Sequence, residues 1–165
     1  MNIRIYSHRD LIVYQKSFEA GRNIFAATRH FPREEIYSLT DQVRRSARSV
    51  SANIAEAWRR RRYEKAFISS LNNSEAEAAE TQVWIDYALD HGYINSDLAN
   101  QLDQAYEEVL RMIVAMINQP EKWCLGEREG EKGSGGAGSG GVRETESQYF
   151  PDIEAPTIDQ SDLEP

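Results

Sequence analysis

The spacing of apolar residues along the chain predicts four helices, and no segment alternates between apolar and polar residues as a strand does. The first predicted helix runs from about Arg9 to Arg29. Its apolar stripe recurs at spacings of three and four and consists of Leu11, Tyr14, Phe18, Gly21, Phe25 and Thr28. Because the residue before a proline is driven out of the α region, the Phe31-Pro32 pair ends this helix.

The second predicted helix begins near Arg33, directly after Pro32. Glu34 and Glu35 lie where negative charge stabilises a helix N-terminus. The apolar stripe of this helix consists of Ile36, Leu39, Val43, Ala47, Val50, Ile54 and Ala57. One face of a long second helix is therefore predicted to lie in the core.

The third predicted helix runs from about Arg62 to His91, where Gly92 provides a left-handed stop. One of its faces carries Phe67, Leu71, Ser74, Ala78, Thr81, Ile85 and Ala88. Acidic residues on the same helix are expected to form a solvated face, and they are Glu75, Glu77, Glu80, Asp86 and Asp90.

The fourth predicted helix begins at a cap formed by Asn95 or Ser96 and ends near Asn118, before Pro120. Its main stripe consists of Leu98, Leu102, Ala105, Val109, Met112 and Met116. A second apolar stripe lies beside the first and consists of Tyr106, Leu110, Ile113 and Ile117. This second stripe has two interpretations, contact between copies in a homo-oligomer or a broad core stripe on a fully buried helix.

Helices of this length with short connections pack as antiparallel neighbours. The sequence therefore predicts an all-α fold, an antiparallel up-down four-helix bundle over residues 1–120. Residues 121–141 are predicted to be a flexible linker, because they contain the Gly/Ser-rich run GSGGAGSGG. Residues 142–165 have too little apolar area to fold alone and are predicted to be an acidic disordered tail. Such a tail serves solubility or docks a partner through its spaced apolar residues.

The charge of the chain is strongly segregated, although the formal net charge is -8. Residues 41–65 contain eight basic and three acidic residues, whereas residues 66–120 contain one basic and nine acidic residues. The basic residues of the first segment are Arg44, Arg45, Arg48, Arg59, Arg60, Arg61, Arg62 and Lys65. Because guanidinium groups suit phosphate oxygens, these residues are predicted to bind RNA or DNA, with Tyr63 as a base-stacking residue.

Part of this charge also has a structural use. Cations complement a helix C-terminus, and Glu56 and Arg60 have the spacing of a helical ion pair. These uses account for two or three of the eight positive charges. The remaining charges are predicted to bind nucleic acid or, as the alternative, to dock an acidic protein surface. Asn53 lies beside the core stripe and is predicted to hydrogen-bond to a neighbouring helix or subunit, or to contact nucleic acid.

No enzyme signature is present in the sequence. The three histidines are far apart, no Asp or Glu has a histidine three positions later, and zinc-site spacings are missing. No catalytic residue, metal site or cofactor is therefore predicted. Cys124 is the single cysteine, and no apolar run is long enough for a membrane span or a signal peptide, so a cytoplasmic protein without a membrane partner is expected.

Four segments carry a family resemblance: HRDLIVYQKS at 8–17, LTDQVRRSARSVSANIAEA at 39–57, AETQ at 79–82 and HGYI at 91–94. They resemble the bacterial four-helix-bundle proteins encoded in 23S rRNA intervening sequences, which are related to accessory variability proteins of diversity-generating retroelements. The resemblance implies a ring-like homo-oligomer, a barrel-shaped pentamer, whose positive surface holds nucleic acid. In the retroelement branch it implies a reverse transcriptase and its template RNA as partners.

The resemblance also implies roles for residues of the second helix. Arg44 and Arg45 match the paired basic residues of the family, and the family's asparagine-to-glutamate core is matched by Asn53, Ile54, Ala55 and Glu56. The chain departs from the pattern at Ser51, where the family commonly has proline, and at Ala57, where it has glycine. Alanine favours a helix over glycine by about 1 kcal/mol, so a straighter and longer second helix is expected.

These observations predict a non-enzymatic, oligomeric nucleic-acid-binding accessory protein, with a retroelement reverse transcriptase and its RNA as candidate partners. The competing hypothesis is a protein-interaction scaffold that displays acidic tails and docks an acidic protein on its basic residues. A third hypothesis joins the two, in that the segment 142–165 folds back on the arginines and competes with nucleic acid.

Overall fold

The computed structural model describes residues 5–125, which form four α-helices and no strand. The helices are α1 (Ile12–Thr28), α2 (Leu39–Arg60), α3 (Glu64–Asp90) and α4 (Ser96–Asn118). Single 3-10 turns lie at His8–Asp10, Arg33–Glu35 and Pro120–Lys122. α1 and α3 each contact both α2 and α4, which confirms the predicted four-helix bundle. Residues 126–165, with most of the predicted linker and the whole acidic tail, lie outside the described residues.

The contact between α2 and α3 forms the centre of the core. Every residue of the predicted α3 stripe is buried, and the predicted α2 stripe is buried from Leu39 to Ala57. Small hydroxyl residues let the two helices approach closely: Ser74 donates a hydrogen bond to the Val50 carbonyl at 2.8 Å. α2 continues without a break through Ser51 and Ala57, as the alanine in place of glycine predicts.

The core face of α1 differs from the predicted one. Phe18 and Phe25 are 52% and 47% exposed, whereas the buried residues of this helix are Val13, Ser17, Ala20, Ile24 and Thr28. The reason is that α1 approaches α2 through its small residues. A Cβ atom placed on Gly21 would lie 3.6 Å from the Ala47 carbonyl oxygen, within van der Waals contact, so the backbones of α1 and α2 lie close together on this face.

The start of α2 also differs from the prediction. Arg33–Glu35 form a 3-10 turn, and α2 begins at Leu39 rather than near Arg33. The Glu35 carboxylate accepts hydrogen bonds from the Leu39 amide, the Ser38 hydroxyl and the Tyr93 hydroxyl, and these bonds lower its pKa. The Glu35 side chain thus satisfies the first amide of α2, and the chain leaves the helical path at Ser38, which has φ -123° and ψ -109°.

The last two connections follow the sequence closely. Gly92 has a positive φ of 74°, as its predicted role at the end of α3 requires. The Asn95 side chain accepts a hydrogen bond from the Leu98 amide at 2.9 Å and caps α4. Within residues 5–125, no helix combines the length and the apolar character that crossing a bilayer requires.

Both apolar stripes of α4 contribute to the core of the single chain. Tyr106 and Ile113 of the second stripe are buried, as are Leu102, Val109 and Met116 of the first. The broad core stripe therefore accounts for much of the apolar surface of α4. The ring-like homo-oligomer stays a prediction.

Candidate nucleic-acid interface

The predicted basic residues separate into two clusters on opposite halves of α2. Arg44 and Arg48 lie in its first half, whereas Arg59 and Arg60 end it. With a rise of 1.5 Å per residue, Arg48 and Arg59 are about 16 Å apart along the helix axis. We define the junction cluster as the basic residues at the α2–α3 connection, namely Arg59, Arg60, Arg61, Arg62 and Lys65.

Two arginines of the junction cluster support the bundle itself. Arg60 forms the predicted ion pair with Glu56. The Arg61 guanidinium lies 3.6 Å from the centre of the Trp58 ring, and its Nη1 donates a hydrogen bond to the Trp58 carbonyl at 2.6 Å. Burial lowers the pKa of Arg61, and the charges of Arg59 and Arg62 lower it further. Arg61 is therefore a packing residue rather than a free phosphate contact.

The other members of the junction cluster are exposed to solvent. Arg59, Arg62 and Lys65 lie on the surface, and Tyr63, the residue before α3, is 72% exposed.

The fold brings Arg9, which was not among the predicted basic residues, to this end of the bundle. Burial lowers the pKa of His8, and the positive charges of Arg9 and Arg59 lower it further. The first 3-10 turn, which contains Arg9, therefore lies beside the end of α2. No local motif in the sequence connects residues so far apart in the chain.

Arg45 belongs to neither cluster. Its guanidinium lies 3.7 Å from the Asp41 carboxylate one turn earlier. Burial raises the pKa of Glu77 on α3, and the charge of Arg45 partly offsets this effect. Arg45 therefore lies toward α3 and does not line the arginine cleft, although the sequence predicted one site for Arg44, Arg45 and Arg48.

Asn53 makes its hydrogen bond within α2. Its Nδ2 donates to the Ser49 carbonyl at 2.9 Å, rather than to a neighbouring helix of the bundle. The side chain is half-buried, and a contact with another subunit stays a prediction.

Arg44 and Arg48 line an open cleft of about 610 Å³ beside the α1–α2 connection, which we call the arginine cleft. Arg29 and Arg33 join them, so four arginines surround this space. The remaining lining residues are Phe25, Thr28, Phe31, Ile36, Tyr37, Thr40 and Asp41. Arg29 and Arg33 were not among the predicted site residues. They flank the predicted break at Phe31-Pro32, where a turn brings the ends of two helices together.

Arg44 is held in place at the wall of the arginine cleft. Its Nε donates a hydrogen bond to Thr28 Oγ1 at 2.8 Å, and its guanidinium lies 4.8 Å from the centre of the Phe25 ring. Thr28 in turn donates to the Phe25 carbonyl at 3.1 Å. These contacts orient the guanidinium and leave its two terminal nitrogens without a hydrogen bond to another described residue.

No metal centre accompanies either cluster among residues 5–125, where no group of three or more His, Cys, Asp or Glu side chains could hold an ion.

Comparison with known proteins places the chain in a family. The model of the 23S rRNA-intervening sequence protein family matches residues 9–115, a segment that contains the junction cluster and the arginine cleft. No curated protein matches the sequence. The fold is similar to a solved protein with unknown function from the S23 ribosomal protein family of Bacteroides thetaiotaomicron, with 26% identity and a TM-score of 0.58. That similarity covers 64% of this chain and 98% of the other. Since the family match extends over more than half of its residues, this chain belongs to the 23S rRNA-intervening sequence protein family.

Proposed function

We propose that this protein is a non-enzymatic nucleic-acid-binding accessory protein that works as a ring-like homo-oligomer. The observation that carries the proposal is the exposed positive charge at the α2–α3 connection. Arg59, Arg62 and Lys65 are exposed there, and Arg9 lies at the same end of the bundle. Arginine and lysine side chains contact phosphate oxygens without reading sequence, which suits an accessory protein that holds RNA or DNA for another factor.

The aromatic residue at the junction supports the same function. Tyr63 is 72% exposed and lies in the chain between Arg62 and Lys65. An exposed tyrosine beside basic residues offers a surface on which a base stacks. The proposed contact therefore combines phosphate binding with one stacking interaction.

A homo-oligomer would strengthen contacts that are weak in a single chain. Exposed large apolar side chains on α1 and α3 support self-association, namely Phe18, Phe25, Val83 and Tyr87. Repetition of the junction cluster around a ring would add its contacts to one nucleic acid through avidity. Light scattering on a size-exclusion column tests this part, and a species with the mass of one chain would contradict it.

The partners form the last part of the proposal. A relationship to the accessory proteins of diversity-generating retroelements would make a reverse transcriptase and its template RNA the partners. Copurification of the chain with a reverse transcriptase encoded nearby would support this assignment, and a gene neighbourhood without one would contradict it.

The central experiment measures nucleic-acid binding by fluorescence anisotropy. Structured RNA, single-stranded RNA and duplex DNA are titrated at about 50 and 200 mM salt, since phosphate contacts weaken steeply with salt. The triple variant with Arg59→Gln, Arg62→Gln and Lys65→Gln spares the packing residues Arg60 and Arg61. We expect this variant to lower the slope of log affinity against log salt by about 2 to 3.

The control is the double variant Arg22→Gln and Arg111→Gln, which removes two exposed charges outside the junction cluster and the arginine cleft. Equal binding by the triple variant and the control would remove the junction cluster from the interface. If the unaltered protein binds none of the nucleic acids at low salt, the proposed function is wrong, and docking of an acidic protein becomes the better hypothesis.

A further inference from the structure

We propose that the arginine cleft is a second site, which holds one unpaired nucleotide of a nucleic-acid strand. The arginines bind its phosphate, and Tyr37 stacks on its base. This inference rests on the proposed function and assigns a separate site to single-stranded segments.

The cleft concentrates positive charge that the chain does not use internally. The guanidinium groups of Arg29, Arg33 and Arg48 make no ion pair or hydrogen bond with any residue in the described part of the chain. Asp41 is the one acidic residue in the lining, and its carboxylate lies beside Arg45. An anion that enters the cleft therefore meets arginines with free donors.

Arg44 has the geometry of a preorganised phosphate ligand. Thr28 and Phe25 fix its guanidinium, and the two terminal nitrogens keep their donors for a ligand. A fixed guanidinium offers two parallel donors to two phosphate oxygens. Since the side chain is already oriented, binding costs little conformational freedom.

Tyr37 determines which kind of anion fits. It is 95% exposed at the edge of the cleft, where its ring has almost no packing in the single chain. Stacking on an aromatic ring requires a flat group, and in a duplex the bases are already stacked inside the helix. The cleft volume of about 610 Å³ also lies within the range of small-ligand sites. The combination favours an unpaired nucleotide over a duplex backbone or an acidic peptide.

The experiment uses the full chain and three labelled probes, a single-stranded oligouridylate of about eight nucleotides, an RNA duplex of the same length and a polyglutamate peptide. Tyr37→Leu removes the stacking surface of the cleft, and its effect is compared with the unaltered chain. Tyr63→Leu removes the stacking residue proposed at the junction and shows how much each of the two tyrosines contributes. We expect Tyr37→Leu to weaken single-strand binding about tenfold and duplex binding less than about twofold.

The charge of the cleft is tested separately. The double variant Arg29→Gln and Arg33→Gln removes two exposed guanidinium groups, and its matched control is the double variant Arg22→Gln and Arg111→Gln. We expect the Arg29/Arg33 variant to lower the single-strand salt slope by about 1.4. Circular dichroism checks that each variant keeps its helical content.

The outcomes separate this inference from the proposed function. If the unaltered chain binds RNA but the Tyr37 and Arg29/Arg33 variants bind it equally well, the cleft site is wrong while the junction cluster keeps its role. Polyglutamate that binds as tightly as the oligonucleotide would also overturn the nucleotide site, since charge alone would explain binding. Absence of all RNA binding would refute the proposed function and this inference together.

Discussion

The junction cluster and the arginine cleft contain similar numbers of arginines but use them differently. At the junction, Arg60 and Arg61 are engaged by Glu56 and Trp58. In the cleft, Thr28 orients Arg44, and the other three guanidinium groups have no partner among residues 5–125. A run of consecutive arginines is therefore a poor guide to binding capacity, because part of the run holds the fold together.

The largest expected effect tests the structural role of the junction. Trp58→Ala removes a side chain that is 6% exposed and on which Arg61 packs. We expect the free energy of unfolding to fall by about 3 to 5 kcal/mol. Urea denaturation measures this change. Tyr37→Ala in the cleft is the control and should change stability by less than about 0.5 kcal/mol. Similar losses of stability in both variants would contradict the structural role that we assign to the junction and not to the cleft.

A smaller effect separates the arginines themselves. Arg61→Gln removes the contact with the Trp58 ring and the hydrogen bond to the Trp58 carbonyl, so we expect a loss of about 1 to 2 kcal/mol of stability. Arg48→Gln should change stability by less than about 0.5 kcal/mol, because its guanidinium has no partner among the described residues. Paired thermal and urea unfolding measures the difference. A more damaging Arg48 variant would contradict our account of the cleft.

Thr28→Val tests whether Arg44 is oriented by its neighbour. The change keeps the shape of a side chain that is 4% exposed but removes the acceptor for Arg44 Nε. We expect stability to fall by about 1 kcal/mol and single-strand affinity to fall about threefold. Duplex affinity, which depends on the junction cluster, serves as the internal control and should stay unchanged. Equal loss for both probes would indicate a general disturbance of the bundle.

The smallest expected effect depends on pH at the junction. The folded chain lowers the pKa of His8 below its usual 6.5, through burial and the charges of Arg9 and Arg59. The unfolded chain therefore binds the proton more readily, and the contribution of His8 to stability is lost as pH falls below about 6.5. Urea denaturation at a series of pH values should show that the free energy of unfolding decreases as pH falls below about 6.5. The variants His8→Gln and Arg59→Gln should both make this decrease smaller. An unchanged decrease in His8→Gln would assign it to another group.

The sequence predicted the fold better than it predicted the site. Every residue of the predicted α3 stripe is buried, although the prediction did not include Ser70, which is buried as well. The α1 face was wrong in part. Gly21 of the predicted stripe does face α2, and Leu11 and Thr28 are buried. Phe18 and Phe25 are exposed, because large side chains dominate an apolar pattern whereas the small residues Ser17 and Ala20 occupy the core. The predicted basic site joined Arg48 to Arg59 by nearness in sequence, and the rise of one helix separates them. Arg29 and Arg33 line the arginine cleft because the α1–α2 connection brings them beside Arg44 and Arg48, and the sequence pattern does not show this path.

The hydrogen bond that anchors the end of the described chain has a further consequence. The Leu125 amide donates to the Arg61 carbonyl at 2.9 Å, so the described part of the chain ends at the same end of the bundle as the junction cluster. The hypothesis in which the segment 142–165 competes with nucleic acid would make that competition intramolecular. Its effective concentration would then depend on chain length and not on the amount of protein in solution, so dilution would not relieve it. Under that hypothesis, a modification that changes the charge of the segment would tune the apparent affinity of the junction cluster without touching an arginine.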